Sequence, residues 1–409
     1  MINKIFTEYR ISDIGQVIGG GTPSTSIDEY WNGNIPWISP KDLTNYNCVY
    51  ISCGENFISE KGLNKSGTKL LPENTVLFSS RAPIGYVAIA ANSICTNQGF
   101  KSIICDPDRI DYLYLYYYLK ANLEYIKLFA NGATFPELSG KAMKNIKINI
   151  FNDVKYQRKI ADTLFKYDNL IENNNKRIKS LEQMAENLYK EWFVRFRFLG
   201  YENAEFENGI PKGWEILKVK NICRVKSGFA FKSQWWQDIG IPVIKIKDIK
   251  DNTIDLNDLS YVSKENADKA KQFYVNAGDL LIAMTGATIG KIALVPHTFK
   301  ITVNQRVGKF FLGKNPLEYS PFLFCLFLQE QIQEQITQIA SSNAAQPNIS
   351  PFDIEKLKFV GEMHYISKFN KLTEPMFKEI LTLRAKNKNL TQQPDLLLPQ
   401  LMSGKLEVE

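Results

Sequence analysis

Residues 35–43 read IPWISPKDL and residues 241–249 read IPVIKIKDI, so one motif occurs twice in this chain of 409 residues. Isoleucine, proline, a second isoleucine, lysine and aspartate recur in register between the two copies. Solenoid repeats have periods of about 20–50 residues, so copies that lie this far apart correspond to whole domains with a connector. The motif therefore predicts a duplicated domain with two binding sites.

The repeat extends on both sides of this motif, and its landmarks keep one order. The first copy contributes Tyr9, Ile11, Ile14, Val17, Ala82, Ile84, Gly85, Val87, Ala88, Asn97, Gln98, Pro136, Leu138 and Ser139, and the second contributes Trp214, Ile216, Val219, Ile222, Ala287, Ile289, Gly290, Ile292, Ala293, Asn304, Gln305, Pro347, Ile349 and Ser350. Strands are expected at 76–80, 86–90, 101–105, 280–284 and 291–295, and helices at 111–129 and 319–339. We expect two similar α+β domains.

A stretch of a different kind separates the copies. Residues 156–198 contain no proline or glycine, and their apolar positions alternate at spacings of four and three, as in a helix that packs along a partner helix. Asn174 interrupts this heptad seam, and Asn387 interrupts a similar seam over residues 369–390. A stutter beside Pro375 is expected to kink or restart the second helix.

These seams have two interpretations. Each helix could pack as an ordinary amphipathic helix on its own domain, or the two helices could pair with each other as a rigid spacer. If a pseudo-twofold axis relates the two halves, the paired helices form an antiparallel coiled coil that separates the domains. The candidate residues for helix pairing or subunit docking are Leu164, Ile171, Asn174, Ile178, Leu181, Leu188, Trp192, Phe193, Ile380, Leu383, Leu390 and Leu401.

Composition narrows the class of protein. Apolar residues make up 44% of the chain, enough for two cores, and the formal net charge of +7 is compatible with nucleic acid without requiring it. The six cysteines form no C-x-x-C pair and the N-terminus does not resemble a signal peptide, so we expect a reduced, cytoplasmic protein. The apolar runs are shorter than the roughly 20 residues that span a bilayer, so no membrane is expected.

Catalytic and metal-binding patterns are missing from the sequence. The two histidines, His297 and His364, lie far apart, and no acidic or cysteine cluster has metal-ligand spacing. The glycine-rich stretch at 18–24 lacks the G-x-G-x-x-G spacing of dinucleotide sites, and no N-P-P-Y tetrapeptide of the adenine methyltransferases occurs. We therefore expect no catalytic residues, no metal and no cofactor on this chain.

Local clusters of cations are more informative than the net charge. Five cations and no acidic residue occur between Ile216 and Trp236, and lysines cluster at corresponding positions over 61–69 and 264–271. Such patches suit contacts to phosphates, although a charge run is often only a solvated face. Their occurrence in both halves favours a binding role.

Two Asn-Gln pairs, at 97–98 and 304–305, allow a second kind of contact. Amide side chains can recognise adenine edges, and the nearby Arg81 and Arg306 could recognise guanine. A structural role in a turn is the alternative, and it is favoured because both halves keep the pair. Residues that recognise different sequences should lie where the copies differ, at 19–34 against 226–240 and at 44–70 against 250–275.

In their order and duplication, these landmarks resemble the specificity subunit of type I restriction–modification systems. The motifs that carry the resemblance are GGGTPS (19–24), IPWISPKD (35–42), SGFAFKS (227–233), IPVIKIKD (241–248), AGDLLIAMTGATIGK (277–291), both Asn-Gln pairs and LLPQLMSGKL (397–406). The resemblance implies target-recognition domains at 1–155 and 200–361, each followed by a spacer helix, at 156–199 and 362–409.

In that family each domain recognises one half of a split target in double-stranded DNA. The resemblance further implies that the helices set the spacing and dock adenine-methyltransferase subunits, two in number, which carry S-adenosylmethionine. Restriction subunits that use ATP and Mg would join the complex. The candidate DNA contacts are Thr22, Ser24, Lys41, Lys61, Lys65, Lys69, Arg81, Lys218, Lys220, Arg224, Lys226, Ser227, Lys232, Lys245, Lys247, Lys269 and Arg306.

Two alternatives remain open at the level of sequence. The chain could serve a related system that modifies DNA without restriction, or it could be a two-headed adaptor for proteins or glycans with the helices as a dimerisation stalk. Affinity for duplex DNA that falls steeply with salt would argue against the adaptor.

Overall fold

Short strands and short helices alternate along the first domain of the computed structural model, which describes residues 6–132, 136–296, 300–341 and 347–408. The strands are β1 Phe6–Arg10, β2 Gly15–Gly19, β3 Trp31–Ile38, β4 Tyr50–Ile51, β5 Asn56–Ile58, β6 Val76–Ser80, β7 Ile84–Ala90, β8 Cys95–Thr96, β9 Lys101–Cys105 and β10 Lys147–Phe151. The helices are α1 Ile11–Ile14, α2 Glu60–Asn64, α3 Tyr112–Ala121, α4 Leu123–Lys127 and α5 Gly140–Asn145. The β-branched runs thus form strands β6, β7 and β9 as predicted.

Strand β6 lies at the centre of the first domain and is buried along its whole length. It belongs to a sheet with the order β2-β9-β6-β7-β4, while β5-β3-β8 form a second sheet and β1 pairs with β10. Val76 and Phe78 pack in the same core as the tyrosine-rich helix α3, and Leu77 points into a second core with Ile38. Side chains alternate across a strand, so β6 joins the two cores.

Helix α6, Val154–Tyr189, follows the first domain and leads to a second set of elements. The strands are β11 Phe206–Glu207, β12 Ile210–Pro211, β13 Glu215–Lys218, β14 Arg224–Ser227, β15 Trp236–Gln237, β16 Ile241–Ile244, β17 Ile249–Lys250, β18 Thr253–Ile254, β19 Ser260–Val262, β20 Leu280–Ala283, β21 Ile292–Leu294, β22 Thr302–Val303, β23 Val307–Phe311 and β24 Lys358–Gly361. The helices are α7 Lys264–Asp268, α8 Ser320–Phe327, α9 Glu330–Ser341, α10 Pro351–Lys356 and α11 Met363–Met402.

The second domain repeats the strand order of the first. Sheet β14-β23-β20-β21 corresponds to β2-β9-β6-β7, and β19-β16-β22 corresponds to β5-β3-β8, including the parallel pairing of its last two strands. The repeated motif has the same local structure in both copies. Asp42 accepts the Ser39 N–H at 2.7 Å, and Asp248 accepts the Lys245 N–H at 2.8 Å, so each aspartate closes the turn after its strand. The predicted pair of similar α+β domains is confirmed.

The long helices differ in detail from the sequence-based boundaries. Helix α6 begins at Val154 and continues into a π-helical turn, Lys190–Val194. Helix α11 runs without interruption through Pro375, so the predicted restart there is wrong. A proline inside a helix costs about 3 kcal/mol, and the complete burial of Phe377 and Ile380 on the next turn offsets this cost.

The chain divides into two compact units, residues 1–173 with 388–409 and residues 174–387. Each unit contains one domain and part of each long helix. In the second unit the Tyr189 and Phe369 rings lie 6.1 Å apart, and Asn174 bonds to Asn387. The partner residue number falls as the α6 number rises, so the helices are antiparallel within this unit. The predicted pairing of α6 with α11 is therefore present.

Candidate nucleic-acid interface

A turn that begins with an asparagine has the same geometry in both domains. Asn97 Oδ1 accepts the Gly99 N–H at 2.8 Å, and Asn304 Oδ1 accepts the Arg306 N–H at 3.3 Å. Each asparagine also donates its own N–H at 2.9 Å to the last carbonyl of the motif strand, β3 or β16. The asparagine therefore stabilises the turn, while the glutamine that follows it is exposed in both domains, as is Arg306.

A glycine loop packs against each of these turns. A Cβ on Gly20 would lie 2.0 Å from the carbonyl oxygen of Asn97, and one on Gly228 would lie 2.4 Å from that of Asn304. Carbon and oxygen cannot approach so closely, so only glycine fits at either position. The segment that differs between the copies, 226–240 in the second, begins at this contact. The divergent side chains thus start beside the exposed glutamine.

In the first domain, polar side chains connect the turn to its neighbours. The Thr22 hydroxyl donates to Gln98 Oε1. Arg81 Nη1 lies 3.5 Å from one oxygen of Glu137, and Lys101 Nζ lies 3.6 Å from the other. Burial lowers the pKa of Lys101. Sequence reasoning did not single out Lys101, and its place three residues after the glutamine was the available signal.

Two predicted phosphate contacts of the first domain are held by carboxylates. Lys41 Nζ lies 2.8 Å from Glu55 Oε2, and Lys61 forms an ion pair with Glu29. All four side chains are mainly exposed, and the hydrogen bond that each lysine donates to its carboxylate raises the pKa of that lysine. Water and salt screen such exposed ion pairs, so a phosphate can compete for either lysine.

The other candidates of the first domain are less constrained. Lys65 and Lys69 are exposed, and within the described part of the chain no carboxylate oxygen lies within 4.0 Å of either ammonium. Ser24 is also exposed, with its hydroxyl 2.8 Å from that of Ser26. These side chains can contact a ligand without first breaking an ion pair.

In the second domain, lysines lie over aromatic rings. Trp235 stacks on Phe229, with ring centres 6.4 Å apart and planes at 11°. Lys232 Nζ lies 5.4 Å and Lys269 Nζ 4.7 Å from the centre of the Trp235 ring. These residues come from the two segments where the copies differ. The structure thus brings both predicted recognition segments of this domain together.

A neighbouring tryptophan occupies equivalent positions in the two domains but has different partners. Lys245 Nζ lies 3.6 Å above the Trp236 ring, which also contacts Phe231, and burial lowers the pKa of this lysine. The counterpart in the first domain, Trp31, packs edge-on against Trp37 at 5.2 Å. The second domain therefore has a cation where the first has a second indole.

The predicted cation cluster of the second domain is split by the fold. Lys218 lies opposite Lys358 across the β13–β24 pair, and Arg224 Nη1 forms an ion pair with Glu355 of α10 at 3.0 Å. Lys220 is exposed in the turn between β13 and β14. These three cations are therefore grouped around the α10 end of β13 and β14.

The remaining candidates have individual surroundings. Lys226 lies 5.1 Å from the centre of the Phe311 ring, and Ser227 ends strand β14 where it enters the glycine loop. Lys247 Nζ lies 2.6 Å from Asp258, which raises the pKa of the lysine. Of these, Ser227 directly precedes Gly228 of the glycine loop.

The arrangement of two similar domains has a match among known proteins. Residues 3–183 and 211–359 match the family described as type I restriction modification DNA specificity domain. The chain belongs to this family. The type I restriction enzyme MjaIX specificity subunit of Methanocaldococcus jannaschii is 36% identical over 100% of this chain and 95% of that protein. The HindI specificity subunit of Haemophilus influenzae is 21% identical over 98% of this chain and 99% of its own.

A solved structure shares the fold of this specificity-domain chain. The crystal structure of a type I restriction-modification system S subunit from M. genitalium superposes with a TM-score of 0.61 at 17% identity, covering 98% of this chain and 96% of that one. The resemblance that the landmark motifs predicted is confirmed by these matches.

The seam asparagines of this specificity-domain chain bond to each other. Asn174 Nδ2 donates to Asn387 Oδ1 at 2.7 Å, and Asn387 Nδ2 donates to Asn175 Oδ1 at 2.8 Å. Both asparagines come from the predicted seams. A polar pair in an apolar seam disfavours other registers, because a shifted helix would leave the amides without partners.

A buried ion pair adjoins this seam. Arg384 Nη2 lies 2.6 Å from Glu182 Oε1, with side-chain exposures of 9% and 16%. Asn252 donates to the same carboxylate at 3.5 Å, and Arg384 Nη1 donates to the Leu294 carbonyl. Burial raises the pKa of Glu182. The pair therefore connects both helices to the second domain. It was not predicted from the sequence, because each residue lies next to a seam leucine and outside the seam itself.

The predicted pairing and docking residues divide into two groups. Leu164, Ile178, Trp192, Phe193, Ile380, Leu383 and Leu401 are buried in the cores of their own units. Ile171, Asn174, Leu181, Leu188 and Leu390 are half-buried. The first group packs against this chain itself, so docking of another protein stays a prediction that concerns the second group.

Neither a metal-binding cluster nor a membrane-spanning helix is found among the described residues. Over these ranges no group of three or more histidine, cysteine, aspartate or glutamate side chains could hold a metal ion. His297 lies outside the described residues. No helix within the described parts of the chain is both long and apolar enough to cross a membrane.

Proposed function

We propose that this chain is the DNA-recognition subunit of a type I restriction–modification complex, with each domain recognising one half of a bipartite duplex target. One observation carries the proposal: the same asparagine turn and glycine loop present different side chains in the two domains. Thr22 and Arg81 flank the turn in the first, and an aromatic cluster with Arg306 flanks it in the second. Two recognition sites for different half-sequences require a shared scaffold with different exposed groups.

The chemistry of these side chains suits the major groove. The exposed glutamine amides can pair with adenine, and Arg81 or Arg306 can bond to guanine O6 and N7. Lysines around each turn would contact phosphates and fix the orientation of the domain. Contacts to base edges would supply the sequence preference, and contacts to phosphates would supply most of the salt-dependent affinity.

The paired helices would set the number of unrecognised base pairs between the half-sites and dock two methyltransferase subunits. Those subunits would bind S-adenosylmethionine and move the target adenine out of the duplex, because chemistry on a base requires it to leave the stack. Restriction subunits would use ATP and Mg to translocate and cleave DNA in the cytoplasm of a bacterium or archaeon. This chain would contribute recognition and no catalytic group.

A domain exchange tests the recognition proposal. Residues 1–155 are replaced by the first domain of a family relative, and methylation is mapped across a host genome with the partner subunits present. We expect one half of the methylated sequence to change and the other to stay. The matched exchange of residues 200–361 should change only the other half. A swap that altered both halves would contradict the assignment of one half-site to each domain.

A length change tests the role of the helices. Deleting 167–173 from α6 together with 388–394 from α11 removes one heptad from each helix and leaves Asn174 and Asn387 paired. We expect a shorter gap between two unchanged half-sequences. Four-residue deletions at the same places serve as the control, since they break the heptad phase and should abolish methylation. An unchanged gap after the heptad deletions would exclude the helices as the spacer.

A further inference from the structure

Two positive charges share one indole ring in the second domain. Lys232 and Lys269 both direct their ammonium groups at Trp235, at 5.4 and 4.7 Å from the ring centre. A tryptophan face attracts each cation, but the two cations repel each other. An anion held between them would remove this repulsion. We call Lys232, Trp235 and Lys269 the Trp235 cluster.

The protein itself neutralises this cluster only in part. Glu265 Oε1 lies 3.4 Å from Lys269 Nζ, but its side chain is 86% exposed and therefore well screened. Around Lys232, no carboxylate oxygen belonging to the described ranges lies within 4.0 Å. The cluster thus keeps a net positive charge at a place where both lysines are already ordered by the ring.

The first domain lacks this arrangement at the equivalent place. Trp31 and Trp236 pair with corresponding strands, β5 and β19, which fixes the alignment of the two segments. One residue earlier, Tyr30 stands where the second domain has Trp235, and Ile27 stands where it has Lys232. Lys269, which follows α7 as Lys65 follows α2, is the one member of the cluster with a counterpart in the first domain. The Trp235 cluster is therefore specific to the second domain.

The Trp235 cluster lies beside the turn that presents the exposed glutamine. Phe229 stacks on Trp235, and its carbonyl oxygen accepts the Gln305 N–H at 3.0 Å. A duplex whose base edges face Gln305 would place one of its sugar–phosphate strands close to Lys232 and Lys269.

We propose that the Trp235 cluster binds a DNA backbone phosphate of the second half-site, and that the first half-site has no equivalent. This inference rests on the proposed function and deepens it, because the two domains then contribute unequally to affinity. The ring holds both lysines in place before DNA arrives, so less side-chain freedom is lost on binding. The second domain would therefore contribute more of the sequence-independent affinity for DNA than the first.

The test uses the full chain with its methyltransferase partners and a duplex that carries the mapped target. The variant Lys232→Ala/Lys269→Ala is compared with the wild type over a range of salt concentrations. Each neutralised phosphate contributes about −0.9 to the slope of log affinity against log salt, so we expect the slope of the variant to be shallower by about one unit. The methylated sequence should not change. Trp235→Leu keeps both charges, so it should weaken binding at a slope close to that of the wild type.

A matched control removes the same charge elsewhere in the second domain. Lys314→Ala/Lys356→Ala also eliminates two lysines, one of which lies 3.8 Å over the Phe352 ring, and we expect its slope to equal that of the wild type. Neutral methylphosphonates in the second half-site should weaken the wild type but not Lys232→Ala/Lys269→Ala. If that variant behaves like the control, the phosphate site is excluded while the proposed function stands. If the wild type does not prefer the mapped target, the proposed function itself fails.

Discussion

The two domains have one strand order but hold their charges differently. Around the asparagine turn of the first domain, Arg81 and Lys101 share Glu137, and farther out Lys41 and Lys61 are paired with acids. In the second domain, three lysines lie over tryptophan rings instead. Because the turn satisfies its own hydrogen bonds, the surrounding side chains can change without changing the backbone. The comparison shows how one fold can present two unrelated surfaces.

The domains also differ in how they attach to the long helices. In the first unit, Gln157 is fully buried and bonds to Asp111, Arg109 and Phe151. In the second unit, the charged Glu182–Arg384 pair makes the corresponding connection. A neutral amide keeps its hydrogen bonds at any pH, whereas a buried ion pair requires that both of its side chains stay charged.

The largest effect is expected from breaking the charged attachment. Glu182→Leu leaves Arg384 buried without a counter-charge, so the free energy of unfolding should fall by about 3–5 kcal/mol in urea denaturation. Glu182→Leu/Arg384→Met removes both charges and should recover most of this loss. Arg158→Met provides the contrast in the first unit. Asp111 is buried beside Arg158 but also accepts the N–H groups of Leu113 and Tyr114, so its charge keeps partners and the loss should be smaller than for Glu182→Leu. Equal losses in the single and double variants would argue against an energetic link.

A smaller effect should distinguish the two neutral amides that bond to the domains. Gln157→Met removes three buried hydrogen bonds and should cost about 3 kcal/mol. Asn370→Leu removes one bond, from the Phe322 N–H at 2.9 Å, and relieves a buried Nδ2 that has no partner among the described residues. We expect a loss of about 1 kcal/mol or less in the same urea denaturation. The reverse ranking would show that these contacts do not control the attachment.

The turn asparagines should have a still smaller and nearly equal effect in the two domains. Asn97→Ala and Asn304→Ala each lose one hydrogen bond from a backbone N–H, so each should lower the free energy of unfolding by about 1 kcal/mol. Calorimetry on the two variants measures this directly. A large loss in one domain only would mean that the turns are not equivalent.

The smallest effect on stability is expected at the neighbouring glutamines. Gln98→Ala and Gln305→Ala replace exposed side chains and should change the free energy of unfolding by no more than about 0.5 kcal/mol. If the glutamines contact DNA as proposed, each variant should nevertheless weaken methylation of the mapped target. Unchanged methylation rates in both variants would remove the glutamines from the recognition surface.

Patterns that depend on local spacing were predictable from the sequence. The repeat predicted the shared fold, and the heptads predicted the pairing of the helices and placed Asn174 and Asn387 in their seams. That these two amides bond to each other was not predicted. Contacts between distant segments were not predictable. The five cations over 218–232 are neighbours in sequence but have different surroundings, since Arg224 pairs with Glu355 whereas Lys232 lies over the Trp235 ring. The unbroken helix at Pro375 depends on burial that no local rule reveals.

The amide pair Asn174–Asn387 has a consequence for how such chains can diversify. Because Asn387 bonds to both Asn174 and Asn175, it fixes one register between the helices, and an insertion in one helix alone shifts the residues beyond it relative to the partner helix. Matched insertions of seven residues on the side of the amide pair away from Glu182 and Arg384 leave both contacts in place and keep the heptad phase of the seam. We therefore expect the length of the paired helices to vary in steps of one heptad and not residue by residue.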